Sequence, residues 1–203
     1  MSGIVLVILS APSGAHHGVE NIFPSPNIYG GDPDCENGQL CLADSRIHTV
    51  YVEPLGPKMT AATEFTLNVY ENNTDLDVIY HDSSNVKYSG SWETDIIYVN
   101  RNSLPDNVWG RAVCDDSSPG NSKCDQFYVL YHADKIDADM PDDVRRQRSL
   151  ACHETGHTLG LLHGGNADPS VSNTQYALRC MRTPLQSDPF LGAHTKDVIN
   201  RNY

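Results

Sequence analysis

The stretch Leu150-Ala151-Cys152-His153-Glu154-Thr155-Gly156-His157-Thr158-Leu159-Gly160-Leu161-Leu162-His163 decides how the rest of this 203-residue chain is read. His153 and His157 stand four positions apart, so on a helix their imidazoles project from one face and can grip a single ion. Glu154 sits beside them, able to reach a water at that ion without being a ligand. Gly160 lets the backbone change direction after the helix and bring His163 round as a third ligand. Three neutral imidazoles leave the fourth position of a tetrahedral zinc ion open for water, which distinguishes a catalytic zinc site from a closed structural one. Zinc lowers the pKa of such a water toward ~7, and Glu154 can complete its deprotonation and later protonate a leaving amine.

The helix that carries these residues is expected to start at Asp139 as cap, with Pro141 in its first turn and Asp142 and Asp143 at the positive end of its dipole. It should run to about Leu159, where Gly160 turns the chain away. Upstream, Phe127 to Tyr131 reads as an apolar strand, and Asp77 to Tyr80 and Ile96 to Val99 read as strands separated by a polar turn around Ser83 and Ser84. Ile47, Val50 and Val52 mark another strand, ended by Pro54. Between them, Ala61, Phe65 and Val69 recur at four-residue steps, which predicts an amphipathic helix from a Thr60 cap to about Tyr70. Residues 16–45, rich in Gly, Pro, Asn and Asp, read as surface loop. Thr195 to Arg201 reads as a short terminal helix. Strands with one helix among them, followed by two late helices, give an α+β order.

Composition narrows the function classes. The net charge is −12, from 14 basic and 26 acidic residues. A nucleic-acid partner needs a basic face, and an anionic membrane surface would repel this chain, so neither is expected as a partner. Two of the three cysteine pairs follow from local spacing. Cys35 and Cys41 flank a short loop, and Cys114 and Cys124 flank the turn formers DDSSPGNSK. Neither pair has the C-x-x-C spacing of a zinc ribbon or redox site, so disulfides and an oxidising, extracellular compartment are expected. The apolar run Ile4 to Leu9, followed by Ser13-Gly14-Ala15, makes residues 1–15 a candidate signal peptide. It lacks a preceding Lys or Arg, and a buried first strand is the alternative. Residues 16–203 are then a single catalytic domain, of a length that suits one hydrophobic core.

The motif H-E-x-x-H-x-x-G-x-x-H resembles the extended zinc motif of the metzincin clan of metallopeptidases. Within that clan the ACHETGH segment, the Cys-Met pair and the late LGAHTKDVINRNY are similar to small secreted metzincins of actinobacteria. The resemblance implies a twisted mixed sheet with a backing helix, an active-site helix, and a small lower subdomain ending in a helix. It implies one catalytic zinc on His153, His157 and His163, with Glu154 as base. Met181, in Cys180-Met181-Arg182, would form the Met-turn, a hydrophobic floor under the ligands. Cys152 precedes the first ligand and Cys180 precedes that Met, so a Cys152–Cys180 bridge would tie helix to turn. The strand Phe127 to Tyr131 would be the edge that borders the cleft, where an extended peptide adds as another strand. The implied function is a secreted zinc-dependent endopeptidase, acting as a monomer on protein or peptide substrates.

Some residues depart from the clan's patterns. Gly164, after the third His, matches none of the common acidic, Ser or Pro choices. Thr183 stands where astacin- and serralysin-like chains place a Tyr ligand. No P-R-C-G-x-P-D latency switch is present. Calcium ligation by Asp32, Asp34 and Glu36, or by Asp115 and Asp116, lacks EF-hand spacing, and solvated loop charge is the simpler reading. Two competing functions stay open at this point: a zinc-binding interaction domain without turnover, against which Glu154 argues, and a zinc amidase acting on a non-protein substrate.

Overall fold

A computed structural model of the chain describes residues 42–117, 123–167 and 170–203. The candidate leader, the expected Cys35–Cys41 pair and the acidic residues at 32, 34 and 36 lie outside these residues. The elements run β1 (Leu42–Ala43), β2 (Ile47–Val52), α1 (Pro57–Asn73), β3 (Asp77–Tyr80), β4 (Ile96–Asn100), β5 (Gly110–Ser117), β6 (Lys123–Tyr131), α2 (Ala133–Asp139), α3 (Val144–Thr158) and α4 (Ala193–Asn202). The class is α+β, with one sheet in the order β1-β6-β4-β2-β3 and β5 added to β6. All pairings are parallel except β5 with β6.

The register explains which side chains meet the helices. Val52, Tyr98, Val129 and Ala112 stand in one row across β2, β4, β6 and β5. Val50, Ile96 and Phe127 continue the same face. Strand side chains alternate between faces, so this whole set points one way. Except for Phe127, which packs with Ala43 and the Cys114–Cys124 pair, it packs with Met59, Ala62 and Leu67 of α1 and with Leu150 and Ala151 of α3 in one core. A second core lies below α3, where Cys152, Leu159 and Leu161 meet Leu178, Met181, Leu191, Val198 and Ile199. Helix α3 is thus buried from both sides, and its residues from Leu150 to Thr158 are all buried.

Three sequence expectations are corrected, and the strand order is added to what the local patterns gave. The active-site helix is not continuous from Asp139. Helix α2 ends at Asp139, and α3 begins afresh at Val144, with the Asp143 side chain accepting from the Arg146 N–H at 2.9 Å. Pro141 disfavours helical backbone in the residue before it, so the break falls at Met140, and Asp143 is the cap. Helix α1 begins at Pro57 rather than Thr60, because proline suits a first turn whose N–H has no partner to lose. Strands β3 and β4 are not neighbours: β2 lies between them and pairs with both. Finally, β6 is not the edge strand. It is flanked by β4 and β5, and the edge beside α3 is β5, which has no other strand partner among the described residues.

Candidate metal centre and its cleft

Two histidines leave the last turns of α3 on one face, and the third arrives after a reversal at Gly160, whose φ is 80°. Only glycine adopts that left-handed backbone freely. The reversal is closed by Leu161 N–H donating to the Gly156 carbonyl at 2.9 Å. It also places the Leu161 carbonyl at 2.7 Å from His157 Nδ1. His153 Nδ1 lies 2.9 Å from the Cys180 carbonyl. A carbonyl only accepts, so each Nδ1 carries the proton and each Nε2 presents a lone pair. Burial pushes the His153 pKa down to about 4, helped by the neighbouring His163, and burial also holds His157 and His163 below the usual range. The imidazoles are therefore neutral near pH 7, the form in which they bind metals.

The three Nε2 atoms converge. His157 Nε2 is 3.1 Å from His153 Nε2, which is 2.9 Å from His163 Nε2. Between His153 and His157 the contact joins two lone pairs and is repulsive unless a cation lies among them. A tetrahedral zinc ion with bonds of about 2.0–2.1 Å separates its nitrogens by ~3.3 Å, close to this spacing. The three histidines can hold a metal ion, and they are the one such group of three or more ligands among the described residues. The donor set fits zinc; the same imidazoles also suit other divalent transition ions.

Glu154 projects into the same cavity, about 680 Å³ in volume, which is walled by Trp109 to Ala112, the three histidines, Leu150 and Thr183 to Leu185. Burial pushes its pKa up to about 8, opposed by the backbone of Ala112. Strand β5 crosses directly over this carboxylate. A Cβ built on Gly110 would fall 2.9 Å from Glu154 Cγ, so only glycine permits the approach. Trp109, just before it, is fixed from outside: its Nε1 donates to Asp139 Oδ2 at 2.7 Å, and the Arg146 guanidinium lies over its ring at 4.7 Å.

Beneath the helix, the fully buried Met181 packs against Gly156, where an added Cβ would fall 2.5 Å from the Met181 sulfur. Cys180 is joined to Cys152, and Cys114 to Cys124. The turn is braced by Asp188, which accepts from Arg179 at 3.2 Å and Arg182 at 2.8 Å, one on either side of Met181. The Tyr176 hydroxyl is held by Arg179. Strand β5 with Gly110, the Trp109 clamp and the Asp188 brace escaped sequence reading. The run Gly110-Arg111-Ala112-Val113 alternates weakly, and only the expected Cys114–Cys124 bridge hinted that a strand preceded the turn.

No family model matches the chain, and no curated protein matches it. Among solved structures, Myroilysin is similar over 61% of this chain and 45% of its own, at 12% identity and a TM-score of 0.34. The chain thus spans less than half of that structure's length, and the likeness is too loose to assign fold or function.

Proposed function

We propose that this chain is a zinc-dependent endopeptidase of metzincin type, with His153, His157 and His163 holding the ion and Glu154 as the base. One observation carries the reading: a converging three-imidazole site and a buried carboxylate share one cavity with an unpaired strand edge. A structural metal needs neither the carboxylate nor the open cavity. When bound, zinc supplies Lewis acidity, acidifying water and drawing electron density from a scissile carbonyl.

The remaining work falls to the chain itself. A peptide lies extended along β5, exchanging backbone hydrogen bonds with its free edge as an added strand would. That places a peptide bond over Glu154, because Gly110 and Ala112 flank the carboxylate. Glu154 accepts the proton of the attacking water and returns it to the departing amine, so no covalent acyl intermediate forms. The apolar wall of Leu150, Pro184 and Leu185 receives a neighbouring side chain. The cavity, about 680 Å³, has room for such a side chain beside the reacting groups. The Cys114–Cys124 and Cys152–Cys180 bridges fit an extracellular protein, and no described helix is long and apolar enough to cross a membrane.

The test is cleavage of a denatured protein by the zinc-loaded chain, with and without a chelator, beside Glu154→Ala. Activity should vanish with the chelator, return with added zinc, and drop by several orders of magnitude in Glu154→Ala while zinc stoichiometry stays near one. Activity surviving either treatment would overturn the mechanism. A folded, zinc-loaded chain inert on broad peptide libraries would instead point to a binding domain.

A further inference from the structure

Arg111 is the one residue on the cavity wall whose charge the proposed chemistry does not use. It lies on β5 between Gly110 and Ala112 and lines the cavity. Its two neighbours turn toward Glu154; Arg111 pairs with Leu130 on the opposite face and is exposed. Among the described residues it has no carboxylate within ion-pair distance. The nearest acidic residue along its strand is Asp115, about 13 Å away at ~3.4 Å per residue, beyond a physiological Debye length of ~8 Å. Apart from Glu154 and the imidazoles, the other wall residues are uncharged: Asn107, Val108, Trp109, Leu150 and Thr183 to Leu185. Just outside, Arg146 lies over Trp109 and adds a second cation at that end.

The setting makes this placement informative. A chain with 26 acidic and 14 basic residues repels acidic peptides at long range. Yet the edge that would receive substrate backbone carries a lone unpaired arginine. In an added strand, the residue opposite Arg111 has its side chain on the same face, roughly 4.5–5.5 Å away between Cβ atoms. From the geometry we infer that Arg111 forms a subsite for an acidic side chain, so that the preferred substrate segments carry Asp or Glu at one fixed position. This rests on the endopeptidase reading above. The contending role is protection: a charged residue on a free edge discourages strand-to-strand aggregation. Glutamate would serve that role as well as arginine does, which separates the two.

The experiment profiles cleavage of a randomised peptide library by the full zinc-loaded chain, in low and high salt, for wild type, Arg111→Lys and Arg111→Glu. Wild type should favour Asp and Glu over Gln and Asn at a single position by about two- to fivefold, the range of an exposed ion pair. The preference should shrink in high salt, persist in Arg111→Lys, and turn toward Lys and Arg in Arg111→Glu. No acidic enrichment at any position, or an enrichment that Arg111→Glu leaves intact, would overturn the inference. If wild type cleaves nothing, the endopeptidase reading fails separately. The subsite is then read by anisotropy of labelled peptides on Glu154→Gln, comparing an acidic peptide with its amide analogue, with and without Arg111→Glu. Equal affinity for both peptides would overturn it there.

Discussion

At the residue scale, Glu154, the proposed base, and the strand above it share one narrow gap. Gly110 is the point where they touch, since a methyl there would sit 2.9 Å from Glu154 Cγ. Gly110→Ala should therefore move the carboxylate while leaving the three imidazoles in place. We expect the activity of the variant to fall roughly 10- to 100-fold, the scale set by misplacing a reacting group by about an ångström. Its zinc stoichiometry should match wild type. Loss of zinc along with activity would show that the strand supports the ligands rather than the base. The spacing of His153, Glu154, His157, Gly160 and His163 was legible because a helix repeats every 3.6 residues and a glycine marks its exit. Gly110 was not legible, because its role depends on a contact with a residue far along the chain.

At the element scale, the Cys152–Cys180 bridge joins helix α3 to the turn that carries Met181. The Cys180 carbonyl also accepts a hydrogen bond from His153 Nδ1–H, so the bridge fixes the partner that orients a proposed ligand. Replacing both cysteines with alanine should lower unfolding stability by about 3.5 kcal/mol, on the chain-entropy account of a loop of this length. It should also weaken zinc binding roughly 10-fold, the lower end for losing control of a ligand's orienting partner. Chemical denaturation and competition with a zinc chelator measure the two effects. Unchanged zinc affinity, with stability reduced, would show that the carbonyl is held by the fold alone. Helices α1 and α4 and strands β2, β3, β4 and β6 were legible from their apolar patterns, to within a few residues. Strand order was not. The parallel pairing that places β2 between β3 and β4 is decided by helix packing on one face, which local pattern does not encode. For the same reason β5, not β6, was the edge.

At the scale of the whole molecule, one buried group links folding to acidity. His48, on β2, packs its ring edge-on to Tyr203 beyond α4, with centroids 5.8 Å apart. Burial pushes its pKa down to about 4, against a smaller upward pull from the Ser45 backbone, and neither ring nitrogen makes a well-formed hydrogen bond. The unfolded chain binds that proton near 6.5, so between about 6.5 and 4 it holds more protons than the folded one. Stability is therefore intact above pH 6.5 and is lost as pH falls through this window, by up to about 3 kcal/mol from this group. His48→Leu should narrow the loss: the variant's melting temperature should gain on wild type at pH 5 relative to pH 7.5. An equal difference at both pH values would show that His48 does not titrate with unfolding.

Strand β5 has a single strand partner among the described residues, yet it is tethered at both ends. The Trp109 clamp holds its start, and the Cys114–Cys124 bridge closes its far end onto β6. If the proposed peptide docking holds, an edge fixed in this way exists in its receiving shape before any peptide arrives. Encounter then needs no loop to order, so association should proceed at the rates of rigid docking, about 10⁵–10⁷ M⁻¹s⁻¹. Good and poor sequences would differ chiefly in how long they stay.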